Sequence, residues 1–111
     1  MLDGAIFSGL SQMGPPGYLD GHHGVWMLDQ DTTQAFANTF WDADFQLHAH
    51  SNGDAATARF IDILETLLAR NPKADHRMTL EHFAYSTEDQ NRKLAALGAA
   101  VSANPYYHYI L

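Results

Sequence analysis

The fold is decided by Phe45-Gln46-Leu47-His48-Ala49-His50-Ser51-Asn52-Gly53-Asp54 and by residues 55–70, which follow it. Phe45-Gln46-Leu47 reads as the end of a buried strand. Beyond the stretch, Ala56, Phe60, Ile63, Leu64, Leu67 and Leu68 recur at the 3.6-residue helical period, while Arg59, Asp62, Glu65 and Thr66 mostly face away. The residues between are therefore a strand-to-helix turn, where α/β folds carry their chemistry. Residues two apart in an extended strand project to one side, so His48 and His50 can present both imidazoles to one site. Neutral imidazole is the commonest protein ligand for transition metals. Taken alone, however, a His-x-His more often packs or hydrogen-bonds at a strand end.

The following residues supply the context. Asn71-Pro72 stops the helix, because the residue before proline avoids the helical region. Arg77 to His82 reads as a short strand with Met78 and Leu80 on one face and Thr79 and Glu81 on the other. It ends in His82, as the previous strand ends in His50. The interval between them is about one strand-helix-strand unit of roughly 30 residues. In a parallel sheet both imidazoles then emerge at the same edge. The unit repeats: Thr87 and Gln90 form a capping box, Leu94 and Leu97 face inward, and Gly98 ends the helix. Residues 99–103 read as a third short buried strand, ending at Asn104-Pro105-Tyr106-Tyr107-His108. Upstream, Asp31 or Thr32 caps a helix whose apolar stripe is Ala35, Phe36, Thr39 and Phe40, extended by Trp41. The alternation predicts an α/β fold with right-handed crossovers and a parallel sheet.

A chain of 111 residues holds one domain. It divides into an irregular glycine-rich loop over 1–30 and alternating helix and strand units over 31–111. A loop of that length lids a site or binds something. Its adjacent His22 and His23 point different ways and are poor joint ligands. Six Lys and Arg against thirteen Asp and Glu give a formal charge of −7, which disfavours nucleic acid and anionic membrane as partners. With no cysteine there is no disulfide frame, no thiolate metal site and no Cys nucleophile. No signal peptide opens the sequence, and no stretch approaches the ~20 apolar residues of a membrane span. The expectation is a soluble, cytoplasmic protein.

The segments FQLHAHSNGDAA and RMTLEHFAYSTEDQNRKLAALGAAVSANPYYH resemble the amidohydrolase superfamily, in its type 3 branch, which includes N-substituted formamide deformylases. The shared pattern is a strand ending in His-x-x-Gly-Asp, a helix, a strand ending in Glu-His, a helix opening with an acidic pair, then Leu-Gly before a strand ending near Pro and His. Asp3-Gly4 ahead of a glycine-rich loop also resembles the segment after the fourth strand of that branch. The resemblance implies part of a (β/α)8 TIM barrel, about strands five to seven with their helices, and a divalent metal, zinc, at the strand ends. It makes His50 and His82 the metal ligands. Asp54 and Glu81 become supporting residues, and His108 follows the seventh strand where substrate is contacted. His48 aligns with no ligand. Ser51-Asn52 replaces the usual small and apolar pair before Gly-Asp.

The family's first-strand His-x-His, fourth-strand Lys and eighth-strand Asp have no counterparts here. The Lys is expected ahead of Met1 and the Asp beyond Leu111, so the chain reads as a middle portion of a barrel, which needs about 250 residues. The implied activity of the parent is hydrolysis of amide or other non-peptide C–N bonds in a small-molecule substrate by metal-activated water. Two rivals stand beside it. One is a catalytically inactive truncated segment that self-associates into homo-oligomers through exposed barrel edges. The other is a small metal domain built on His22, His23, His50 and His82.

Overall fold

The computed structural model describes residues 1–110, apart from the side chains of His108 and Ile110. The substrate-contacting role expected of His108 therefore lies outside the described residues. Helix α1 (Gln30–Asp42) leads into strand β1 (His48–Ser51), and α2 (Asp54–Arg70) connects this to β2 (Thr79–His82). Helix α3 (Glu88–Leu97) leads on to β3 (Ala100–Ala103), and a single turn, α4 (Tyr107–Ile110), follows. The strands form one parallel sheet in the order β1-β2-β3. Parallel pairing requires long crossovers, here supplied by α2 and α3. The fold is α/β, compatible with a segment of a barrel.

Helix α2 holds the core together. Ala56, Phe60, Ile63, Leu64 and Leu67 are buried as their period requires, and they pack with Met78, Leu80, Leu94 and Trp41. Each large aliphatic side chain so buried contributes about 1.5–3 kcal/mol. Thr57 and Ile61 are buried as well, on a helix that meets both α1 and α3. At its C-terminal end the Trp41 indole N–H donates to the Asn71 carbonyl at 2.8 Å, and Arg70 forks onto Asp42 at 2.8 and 3.0 Å, fixing α1 to α2. The capping box of α3 is present in both directions, at 3.0 and 3.3 Å, and Gly98 closes that helix at φ +73°. No helix among the described residues is long and apolar enough to cross a membrane.

Several local expectations shift. The cap of α1 is Asp29, whose Oδ1 accepts the Thr32 N–H at 2.8 Å, rather than Asp31 or Thr32. Of that helix's apolar stripe only Trp41 is buried, while Phe36 and Phe40 are 53% and 45% exposed. Phe45 is exposed too, and β1 starts only at His48. Strand β3, expected to be buried, is an edge strand with Val101 exposed, since it pairs with β2 alone. The glycine-rich segment is hydrogen-bonded throughout. Leu2 N–H donates to the His50 carbonyl at 3.0 Å and Met27 N–H to the Leu2 carbonyl at 3.1 Å, and Asp3 bridges Trp26 in antiparallel fashion. The loop between folds onto the turn joining β1 to α2. There the Gln12 carbonyl accepts the Ala55 N–H at 3.1 Å, and Gly14 N–H donates to Asp54 Oδ1 at 2.7 Å.

Candidate functional site

A strand-to-helix turn leaves backbone N–H groups without partners, and burying them unpaired is costly. Asp3 meets that need. Its fully buried carboxylate accepts the N–H groups of Gln12 at 3.0 Å, Asn52 at 3.0 Å and Gly53 at 2.8 Å. It also stands 3.2 Å from Nδ1 of His50. Gly53 is required by this approach, because a Cβ there would overlap the Gln12 carbonyl.

With its Nδ1–H donated to Asp3, His50 keeps the lone pair on Nε2. That atom is 3.4 Å from Nδ2 of Asn52, which also donates to the Gly4 carbonyl at 3.1 Å. The His50 ring meets the His82 ring edge to face, with centroids 4.7 Å apart. Register alone would not produce this contact, since the neighbour of His82 on β1 is Ser51. His82 and Phe83 have left-handed φ values of +73° and +49°, which turn the His82 ring toward His50. Such a backbone costs about 1–3 kcal/mol per residue and collects at functional sites.

Glu81 pairs in register with His50, yet its carboxylate bonds to His48 Nδ1 at 2.6 Å. The Ser102 hydroxyl and then the His48 ring hold the Glu81 carboxyl below its usual range. Glu81 thus orients His48, not a predicted ligand. Asp54 accepts from the loop at Gly14 and steadies the turn. The loop histidines serve the loop: His22 bonds Asp20 at 2.5 Å and the Gly9 carbonyl at 2.8 Å, and His23 bonds the Met13 carbonyl at 2.8 Å. A four-histidine centre does not assemble, and among the described residues no three His, Asp or Glu side chains gather as a metal site.

The donor chemistry nevertheless fits a divalent cation in part. Two imidazoles adjoin, one with its tautomer set by a buried carboxylate, the usual support of a metal-binding histidine. Close by, the buried Oδ1 of Asn52 meets no donor among the described residues. A tetrahedral set would need donors beyond His50 and His82. Sequence reasoning missed the roles of Asp3 and Asn52 because their contacts reach across the chain. Asp3-Gly4 was the one signal present.

At the C-terminal ends of β2 and β3, beside His82, lies a cavity of about 530 Å³. Phe83, Tyr85, Asn104 and Tyr107 line it, with Ile6 and Met13 from the loop. The model of the amidohydrolase family matches residues 3–109. No curated protein and no solved structure matches the chain. The family match runs from the buried Asp3 through both histidines to the last helix, and the chain belongs to the amidohydrolase family.

Proposed function

We propose that the chain forms strands five to seven of a (β/α)8 barrel in a metal-dependent amidohydrolase that cleaves amide or related C–N bonds of small molecules. The observation that carries this reading is the 4.7 Å contact between the His50 and His82 rings at the C-terminal ends of adjacent parallel strands. Barrel enzymes place their chemistry at that face.

His50, through Nε2, and His82 would hold the cation, and zinc suits imidazole donors. Once bound it supplies a Lewis acid that lowers the pKa of water toward about 7 and polarises the scissile carbonyl. The chain's own residues prepare the site. Asp3 fixes the tautomer and plane of His50, and the loop carrying Gln12 shields that carboxylate from water. The Asn52 amide, 3.4 Å from Nε2 of His50 and bonded to the Gly4 carbonyl, would yield the lone pair to the cation. Glu81 holds the proton of His48 on Nδ1.

Zinc titration of the purified chain by calorimetry, beside His50→Ala and His82→Ala, tests the reading. Each substitution is expected to weaken binding at least tenfold. Unchanged affinity in both variants would show that the pair holds no metal.

A further inference from the structure

The cavity beside His82 has a chemistry of its own, and on the reading above it adjoins the reacting centre. The Tyr107 ring lies 6.4 Å from the His82 ring, and Phe83 directly follows His82 in the chain. A group seated against Tyr107 therefore lies near the histidine pair. Its wall is built of the aromatic rings of Phe83, Tyr85 and Tyr107 with the side chains of Ile6 and Met13, and Phe7 packs edge to face on Tyr107 at 5.9 Å. Asn104 is the side-chain amide in the wall, and its Oδ1 accepts the Tyr106 N–H at 3.2 Å. Among the described residues no Asp, Glu, Lys, Arg or His lines the space.

We infer that this cavity seats an uncharged aromatic or arylalkyl substituent of the amide substrate and rejects a substituent bearing a carboxylate. A volume of about 530 Å³ is enough for a phenyl ring with its linker, within the usual range of ligand pockets. Aromatic walls favour a flat ring through edge and face contacts. A carboxylate in the same space would meet no cationic side chain among the residues that line it, and a neutral amide does not offset a full charge. The chain's formal charge of −7 opposes it further.

The inference deepens the hydrolase reading, and its test needs no metal, so either can fail alone. The ¹⁵N-labelled chain is titrated with N-phenethylacetamide and with N-acetylphenylalanine, which share ring and amide and differ by one carboxylate. The neutral amide is expected to bind at least tenfold tighter, with the largest amide shifts at Phe83, Tyr85, Asn104 and Tyr107. Tyr85→Ala should weaken it at least fivefold, whereas Phe36→Ala, on the exposed side of α1, should leave it unchanged. Equal affinities, tighter binding of the carboxylate, or no saturable shift in the cavity would overturn the inference. The two-ligand comparison on the unaltered chain decides the matter even if Tyr85→Ala fails to fold.

Discussion

Asp3 and His50, 47 positions apart in the chain, meet at 3.2 Å between carboxylate and Nδ1, and the same carboxylate gathers the N–H groups of Gln12, Asn52 and Gly53. One buried group thus closes the turn and orients a candidate ligand. Asp3→Ala strands those donors, and a buried donor left unsatisfied costs about 1–3 kcal/mol. Urea unfolding should show a loss of that size. Asp3→Asn, if folded, should bind zinc about 10–100-fold more weakly, because the support of His50 is altered. Wild-type zinc affinity in Asp3→Asn would refute the orienting role.

Gly53 admits the Gln12 carbonyl where any Cβ would sit. Gly53→Ala must push the loop off the turn, and overpacking of this kind costs about 1–3 kcal/mol. Thermal melts should show the loss, with hydrogen exchange accelerated at Ala55, whose N–H bonds to Gln12. Unchanged protection at Ala55 would mean that the loop does not clamp the turn.

His82 adopts a left-handed backbone, at φ +73°. That region costs a side chain with a Cβ about 1–2 kcal/mol, and glycine is free of the cost. His82→Gly should therefore be more stable than His82→Ala by about 1 kcal/mol, while both lose zinc affinity. Equal denaturation midpoints would show that no strain is held there.

The Glu81 carboxyl lies below its ordinary value of 4.5, held there by the Ser102 hydroxyl and then by His48. A depressed carboxyl stabilises the fold at pH above the ordinary value, and that contribution disappears as pH falls through the lowered one. Urea midpoints measured between pH 6 and pH 3 should fall less steeply in Glu81→Gln than in the unaltered chain. Parallel curves would show that the pairing contributes nothing to stability.

Leu64, fully buried on α2, sits at the centre of the core. Leu64→Ala is expected to cost 2–5 kcal/mol in denaturant unfolding. Phe36→Ala should stay within about 0.5 kcal/mol, as exposed positions do.

The sequence by itself determined the elements whose cause is local. The period of Phe60, Ile63, Leu64 and Leu67 specifies α2, the Thr87–Gln90 pair starts α3, Gly98 ends it, and the strand-helix spacing brings His50 and His82 to one sheet edge. Only the tertiary structure decided which apolar faces are covered. Phe36, Phe40 and Val101 carry the same local pattern as buried residues, yet each stays about half exposed. It also decided that Asp3 serves His50, that Glu81 serves His48, and that a left-handed backbone aims His82. Periodicity and capping act over a few residues and can be read along the chain, whereas burial and hydrogen-bond pairing depend on which distant segments arrive together.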